Sequence, residues 1–198
     1  MMQLEFFRKV TINRTVSVGT LAIVALLFLA VSGCKKKEAA RADDGSGANP
    51  AGAVPTLPAN ANPVEKLLFQ KAPVCYQCAK ANCDEFVAGC VNIQGVAAEG
   101  PAKGKSKAEL CSNTLGCVLK EKCVKGDASF KCYCGKLDGM DCLSKTTQDG
   151  VCRSVIEAGL ESTEGGTIAK IWGERTLGAG AAMALTHCMI DHGCKACF

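Results

Sequence analysis

The segment KAELCSNTLGCVLKEKC, which runs from Lys107 to Cys123, combines the apolar spacing of an amphipathic helix with three evenly spaced cysteines. Ser106 and Glu109 fit the capping-box pattern, in which each side chain bonds a free backbone N–H of the other residue. We therefore predict one helix over about residues 107–123. Its cysteines constrain how the rest of the chain is arranged around it.

Cys111, Cys117 and Cys123 are each six residues apart. Because a helix turns by about 100° per residue, each cysteine is rotated by about 240° from the one before it. The three side chains then point in three directions, so no two of them can form a disulfide or share one metal while the helix stands. We predict a central helix joined by disulfides to segments on both its N-terminal and C-terminal sides.

Further helices are predicted from residues that favour helix ends. Asn82, Asp149 and Thr167 are candidate N-caps, and an Ala-rich helix within residues 175–191 is expected to stop at Gly193. Asp84 and Glu85 are well placed for the first turn of the helix after Asn82. Residues 130–134 are expected to form a short strand or loop, and residues 95–105 a mobile loop. The glycines of Gly178-Ala-Gly180 are expected to permit close helix packing.

Fourteen cysteines follow Cys34, and in an exported chain that density is typical of a disulfide scaffold. Their even number suits complete internal pairing, but the spacing leaves the pairing open. Cys75 with Cys78, and Cys83 with Cys90, are each expected to form two parallel disulfides to an adjacent helix. The expected class is small, mostly α and disulfide-rich, with several short helices around the central one. The cysteines are Cys75, Cys78, Cys83, Cys90, Cys111, Cys117, Cys123, Cys132, Cys134, Cys142, Cys152, Cys188, Cys194 and Cys197.

The N-terminal segment has the layout of a secretory signal peptide. Basic residues precede an apolar run over residues 20–31, and the small residues Ser32 and Gly33 follow it. The uninterrupted apolar run is shorter than the roughly 20 residues that a membrane-spanning helix needs. Residues 1–33 are therefore expected to be removed.

Val31-Ser32-Gly33-Cys34 resembles the lipobox of bacterial lipoproteins, position by position. The resemblance implies cleavage before Cys34, a diacylglycerol thioether on its sulfur, and acylation of the new amino terminus, palmitate being a typical acyl group. It also implies a lipid-anchored protein of the bacterial cell envelope. Lys35 stands where an Asp would retain an enterobacterial lipoprotein at the inner membrane, so the outer membrane is favoured. Whether the protein faces the periplasm or the cell surface stays open.

Residues 34–63 are rich in Pro, Ala and Gly and hold four of the six prolines of the chain. Such a composition buries too little apolar surface to offset chain entropy, so we predict a disordered tether, with a mean span of about 30 Å as a coil. Residues 64–198 are then the cysteine-rich domain. Its Lys131-Cys-Tyr-Cys-Gly135 segment is loosely similar to cysteine-rich lipoproteins of myxobacterial type, a resemblance that brings no activity with it.

Charge disfavours nucleic acid as a partner. The precursor has a formal net charge of +4, and removing residues 1–33 takes away three basic residues and Glu5, which leaves +2. The expected partner is the lipid bilayer, through acylated Cys34 and the basic residues 35–37 beside it. A protein partner in the envelope or outside the cell is compatible with this reading.

No catalytic arrangement and no cofactor are predicted. Cys75-x-x-Cys78 and Cys194-x-x-Cys197 have the spacing of redox motifs but lack the strand and helix around them that redox catalysis uses. Neither motif is followed by the His of a haem attachment site. The sequence thus predicts a non-enzymatic binding or structural lipoprotein.

An alternative function rests on the C-terminal residues His187, Cys188, Met189 and His192, which include both histidines of the chain. Imidazole with sulfur suits copper or zinc. This alternative is a metal- or redox-handling protein of the envelope. The competing interpretation places the cysteines in disulfides and the histidines at a solvated helix end, where the helix dipole favours them.

Overall fold

The computed structural model describes residues 55–124, 129–137, 139–144 and 148–198, which belong to one compact unit. Their regular structure is helical, and the one β interaction found among them is an isolated antiparallel bridge between Val96 and Ser106. The predicted class, mostly α and disulfide-rich, is confirmed. Among these residues no helix is both long enough and apolar enough to cross a bilayer. The predicted signal peptide, the lipobox with Cys34, and the tether up to residue 54 lie outside the described residues.

The described residues form nine α-helices and a C-terminal 3-10 helix. In chain order these are α1 Pro63–Lys71, α2 Pro73–Asn82, α3 Asp84–Asn92, α4 Lys107–Glu121, α5 Lys131–Cys134, α6 Gly139–Ser144, α7 Arg153–Gly159, α8 Gly165–Ile171, α9 Gly178–Asp191 and the 3-10 helix Lys195–Cys197.

Helix α1 begins with a capping box that the sequence analysis missed. The Asn62 side chain accepts a hydrogen bond from the Glu65 N–H at 2.9 Å, and the Glu65 carboxylate accepts one from the Asn62 N–H at 3.0 Å. Asn82 lies at the end of α2 rather than capping the next helix, and Cys83 precedes α3. As predicted, Asp84 and Glu85 occupy the first turn of α3, where the helix dipole favours carboxylates.

Helix α4 is the predicted central helix, and it packs against α1, α3, α7 and α9. It ends at Glu121, because Lys122 adopts a left-handed conformation with φ of 48°. Cys123 therefore lies beyond the helix. The capping box predicted at Ser106 is wrong: the side chain of Ser106 makes no capping bond, and the Lys107 N–H instead donates to the Gly95 carbonyl at 3.1 Å.

Three other local predictions are corrected. Residues 130–134 form the single helical turn α5 rather than a strand or loop. Asp149 does not cap α7, which follows Cys152, because the Asp149 carboxylate accepts from the Lys136 N–H. Thr167 lies inside α8 and donates to the Glu164 side chain at the N-cap.

Helices α4 and α9 form a central pair with a hydrophobic core on each side. Leu115 of α4 and Leu185 of α9 face the first core, which α1, α2 and α3 cover. Val118 of α4 and Met183 of α9 face the second core. Helices α5, α6, α7 and α8 cover this core, together with Trp172, which follows α8 directly. The central pair thus contributes to both cores, so its integrity supports the whole described unit.

The two central helices approach closely at Gly178, as the sequence predicted. A Cβ at Gly178 would lie 2.7 Å from the Leu110 Cβ and 2.8 Å from the Lys107 carbonyl oxygen. Gly193, after α9, has φ of 66°, which confirms the predicted left-handed stop.

The loop between α3 and α4 is held by its own backbone bonds. The Ala97 N–H donates to the Lys105 carbonyl at 2.9 Å, and the Gly104 N–H donates to the Ala97 carbonyl at 2.8 Å. Ala97 and Ala102 are buried against Leu110 of α4. The predicted loop is therefore a folded strap across the start of the central helix.

Candidate functional site

All fourteen cysteines from Cys75 to Cys197 are paired in seven disulfides. The pairs are Cys75–Cys197, Cys78–Cys194, Cys83–Cys188, Cys90–Cys111, Cys117–Cys152, Cys123–Cys132 and Cys134–Cys142. These sulfur atoms are oxidised, so none of them offers a nucleophilic thiolate or a metal-ligand thiolate.

Two disulfides join the two C-x-x-C motifs in antiparallel order, so that the first cysteine of each motif bonds the second cysteine of the other. Cys75 and Cys78 of α2 are joined to Cys197 and Cys194 respectively. The expected pair of disulfides to an adjacent helix is confirmed for Cys197, which lies in the 3-10 helix, while Cys194 directly precedes that helix.

The matching expectation for Cys83 and Cys90 is wrong. Cys83 lies between α2 and α3 and bonds Cys188 of α9, whereas Cys90 bonds Cys111 of α4. The two sulfurs diverge because Cys83 precedes α3 instead of sharing a face with Cys90.

As predicted, disulfides join the central segment to parts of the chain on both its N-terminal and its C-terminal side. Cys111 bonds a segment before α4, and Cys117 and Cys123 bond segments after it. The prediction that each of the three bonds a different partner is confirmed. Cys123 itself lies beyond the end of the helix, and its Sγ lies 3.9 Å from the Sγ of Cys152, the partner of Cys117. The left-handed Lys122 turns the chain at that point, and the disulfides of Cys117 and Cys123 pack side by side.

The C-terminal His, Cys and Met residues do not gather into one site. Cys188 is in a disulfide, Met189 is fully buried in the first core, and His192 is exposed at the end of α9. His187 lies 3.0 Å, through Nε2, from the Oγ of Ser129. Within the described part of the chain, no group of three or more His, Cys, Asp or Glu side chains is arranged to hold a metal.

Ser129 and His187 lie beside an aromatic cluster. Phe130 stacks on Trp172 with ring centroids 4.1 Å apart, and Tyr133 lies at 6.1 Å from the same ring. Ser129 is buried, so its hydroxyl is held against the imidazole away from solvent. The contact fastens the segment before α5 to α9.

Tyr133, Glu157 and Arg153 form a polar cluster in the second core. Arg153 Nε donates to Glu157 Oε1 at 2.7 Å, and the Tyr133 hydroxyl donates to the same oxygen at 3.4 Å. Burial raises the pKa of Tyr133 to about 12, and the negative charge of Glu157 adds to the rise. Within this cluster, only the Arg153–Glu157 pair is recognisable in the sequence, because residues four positions apart are neighbours on one face of a helix.

Glu161 connects the end of α7 to the strap before α4. It has a left-handed φ of 58°, and its carboxylate accepts from the Ala98 N–H at 2.6 Å and the Glu99 N–H at 3.3 Å. Lys107 Nζ lies 3.4 Å from its other oxygen. The carboxylate holds two loop amides and a lysine in place, which is a structural role.

A groove of about 520 Å³ lies between α1 and α4. We call it the lysine groove. Its apolar floor is provided by α1 and α4, and lysines lie at its end. The lining residues are Leu67, Gln70, Lys71, Gly116, Leu119 and Lys120.

Lys71 holds the two walls of the lysine groove together. Its Nζ donates to the Leu119 carbonyl oxygen at 2.6 Å. Burial lowers the pKa of Lys71, and the nearby positive charge of Lys122 lowers it further. No local sequence pattern connects Lys71 with Lys120 and Lys122, because they lie about fifty residues apart in the chain.

A second cleft, of about 380 Å³, is lined by Arg175, Lys107 and Asn92 among others. Its cations already have partners within the domain. The Arg175 guanidinium lies over the Phe86 ring at 4.5 Å, and Lys107 bonds the Thr176 carbonyl as well as Glu161. The lysine groove is therefore the stronger candidate for a binding surface.

No protein-family model matches the chain, and comparison with curated proteins and with solved structures finds no match.

Proposed function

We propose that this chain is a lipoprotein of the bacterial cell envelope, anchored through acylated Cys34, whose disulfide-rich domain serves a binding or structural role and not a catalytic one. The tether that precedes α1 presents the domain to its partner. The outer membrane is the favoured location, because Lys35 replaces the residue that retains enterobacterial lipoproteins at the inner membrane.

The observation that carries the proposal is the pairing of all fourteen cysteines after Cys34. Disulfides persist in oxidising compartments and are rare in the cytosol, where thiols are kept reduced. A domain with seven disulfides therefore suits an exported protein, and the lipobox supplies a means of export and attachment. Two independent parts of the chain thus support one location.

The polar contacts support a structural role for the interior of the domain. Glu157 binds the Tyr133 hydroxyl and the Arg153 side chain, and Glu161 binds the strap amides. Each carboxylate joins two segments of the domain and is largely buried, so these groups act as internal fastenings. This leaves the outer surface as the place where a partner binds.

Acylation is tested by expressing the full chain in a Gram-negative host that is fed a clickable palmitate analogue. We expect label on the wild-type chain and its recovery in the outer-membrane fraction. Cys34→Ala removes the acylated sulfur, so that variant is expected to carry no label and to keep residues 1–33. Ser32→Ala retains the lipobox pattern and is the matched control, which is expected to be labelled like the wild type.

The thiol state is tested by alkylating the denatured protein without reduction and measuring its intact mass. We expect no alkylation of the fourteen cysteines before reduction and alkylation of all of them afterwards. Unlabelled wild-type protein would reject the anchor. Two or more reactive thiols together with stoichiometric copper or zinc would replace the proposal with the metal-handling alternative.

A further inference from the structure

We propose that the lysine groove, together with two lysines beside it, is a face that docks on the anionic phospholipid headgroups of the membrane to which the protein is anchored. We call this the lysine face; it comprises Lys71 and Lys120, which line the groove, Lys122 at the end of α4, and Lys66, which is exposed on α1 one turn before the lining residue Gln70. The inference rests on the proposed function, since it concerns a domain already held near a bilayer. The inference gives the domain an orientation, in which the lysine face is turned towards the lipid.

Packing of α1 against α4 brings these lysines together. A Cβ on Gly116 of α4 would lie 3.6 Å from the Leu67 side chain of α1, and Lys71 bonds Leu119 farther along both helices. The two helices therefore run side by side in the same direction, so their C-terminal ends meet at one edge. Lys71 ends α1, while Lys120 and Lys122 lie at the end of α4.

The positive charge of this face is poorly neutralised within the domain. In the described part of the chain, Lys66, Lys71 and Lys122 form no ion pair. Lys120 lies 3.5 Å from Glu121, but its side chain is 83% exposed, so this pair contributes little in water. Among the described residues, Glu121 is thus the one carboxylate that forms an ion pair with this face, and an anionic surface complements the four ammonium groups.

The repulsion between Lys71 and Lys122 is a second sign of unbalanced charge. The positive charge of Lys122 lowers the pKa of Lys71, in addition to the larger effect of burial. A phosphate between the two ammonium groups would attract both of them and so outweigh that repulsion. Lysines near an anionic leaflet each favour the bound state, and the attraction fades within a Debye length.

The shape of the groove suits a phospholipid better than a simple anion. Its lining includes Leu67 of α1 beside Gly116 of α4, and it encloses about 520 Å³. A headgroup phosphate can bind Lys71 and Lys120 while the glycerol and the first methylenes lie on Leu67, which is half-buried.

The test is residue-resolved lysine acylation of the full chain reconstituted in vesicles. Vesicles of phosphatidylcholine alone are compared with vesicles that also contain phosphatidylglycerol, and modified lysines are quantified by mass spectrometry. We expect Lys66, Lys120 and Lys122 to react several-fold more slowly in the anionic vesicles, and the protection to disappear at high salt. The exposed lysines Lys103, Lys105 and Lys170 are expected to react at the same rate in both.

A charge-reversal variant, Lys66→Glu/Lys120→Glu/Lys122→Glu, sharpens the test. Each lysine near the surface is worth about a fivefold change in partition. With three replaced, Lys71 remains as the reporter: it is expected to react more slowly in the anionic vesicles in the wild type and at the same rate in both vesicle types in the variant. The matched control is Lys103→Glu/Lys105→Glu/Lys170→Glu, which changes the net charge equally and leaves the lysine face intact. It is expected to show wild-type protection of Lys66, Lys120 and Lys122.

Three outcomes would overturn the inference. Equal reaction rates in both vesicle types, with the protein still vesicle-bound, would reject docking while leaving the anchor intact. Protection by soluble phosphate at matched ionic strength would assign the lysines to a free anion. Protection that is independent of lipid charge and grows with protein density would assign the face to a contact between two copies of the chain. Loss of vesicle binding altogether would instead reject the proposed function.

Discussion

Cys75 and Cys197 are 122 residues apart in the sequence, yet a disulfide joins them with their Cα atoms 4.9 Å apart. Cys78–Cys194 and Cys83–Cys188 close nearly the same long loop. Once one of the three is formed, each further disulfide closes only a short ring of residues. Because the entropy of loop closure depends on loop length, the three contributions to stability depend on one another.

Replacing Cys75 and Cys197 together by alanine is expected to lower the free energy of unfolding by about 2.5 kcal/mol, the value for a ring of roughly eight residues. In a variant that already lacks the other two disulfides, Cys90–Cys111 and Cys117–Cys152 still shorten the loop, so the same replacement opens a ring of roughly 70 residues and is expected to cost about 4.5 kcal/mol. Urea unfolding under non-reducing conditions measures both values.

The matched control for this pair is Cys134→Ala/Cys142→Ala. These cysteines are 8 residues apart and belong to a different region, so their removal is expected to cost about 2.5 kcal/mol in either background. Equal costs for the Cys75–Cys197 disulfide in the two backgrounds would contradict the shared-loop account.

Tyr133 is expected to make stability depend on alkaline pH. Its pKa is raised to about 12 in the folded protein by burial and by Glu157, against about 10 in the unfolded chain. The unfolded state therefore loses this proton first, so the contribution of Tyr133 is complete below pH 10 and is lost as the pH rises towards 12. Absorbance titration of the phenolate, with unfolding measured across that range, checks both values.

Tyr133→Phe is expected to weaken this alkaline decline and to cost about 0.5–1 kcal/mol at neutral pH, since it removes a long hydrogen bond of 3.4 Å. Tyr76→Phe is the control, because Tyr76 is the other tyrosine of the chain and lies partly exposed on α2, with its ring against Phe69 of α1. An unchanged pH dependence in Tyr133→Phe would show that another group governs it.

Glu161→Ala is expected to loosen the strap before α4. The substitution leaves the Ala98 and Glu99 amides without their carboxylate acceptor, at a cost of about 1–2 kcal/mol because water can partly replace it. Hydrogen exchange of these two amides is expected to accelerate while exchange in α2 stays unchanged. Glu99→Ala removes an exposed carboxylate from the same strap and should leave exchange as in the wild type; acceleration there too would argue against a specific role for Glu161.

Gly178→Ala is expected to destabilise the protein by about 1–3 kcal/mol, because the new methyl group would overlap Leu110 and the Lys107 carbonyl and push α9 away from α4. Gly89→Ala in α3 meets no atom within 4 Å and is expected to be neutral or stabilising by up to about 1 kcal/mol, since Ala favours helix more than Gly. Thermal unfolding of the two variants should shift in opposite directions. A similar shift for both would mean that the contact at Gly178 relaxes without cost.

Much of the local structure was predictable from neighbouring residues. The central helix starts at the predicted residue because its apolar spacing is local, and Gly193 stops α9 because glycine adopts the left-handed conformation readily. Predictions at helix ends were weaker. Ser106, Asp149 and Thr167 all have side chains suited to capping, but none of them caps the predicted helix. Ser106 and Asp149 lie where contacts with other segments determine the local structure, whereas Thr167 donates to Glu164 at the start of its own helix.

The candidate surface was not predictable in the same way. Lys66 and Lys71 lie on α1 and Lys120 and Lys122 at the end of α4, and no local pattern relates the two pairs. Their shared charge arises when Leu67 packs beside Gly116 and the two helix ends come to one edge. The buried Tyr133 cluster and the Glu161 contact with the strap depend on packing for the same reason.

Cysteine count, helix periodicity and the position of glycines already specified a small helical domain held by disulfides, since those properties depend on composition and on residues a few positions apart. They left open which sulfur meets which, because fourteen cysteines allow on the order of 10⁵ pairings and the choice depends on distances between remote segments. Packing of α4 and α9 between two cores brings Cys75, Cys78 and Cys83 to the C-terminal segment and aligns the lysines of α1 and α4. The pairing and the charged face therefore come from long-range packing, in which apolar burial fixes the positions of groups that the chain keeps far apart.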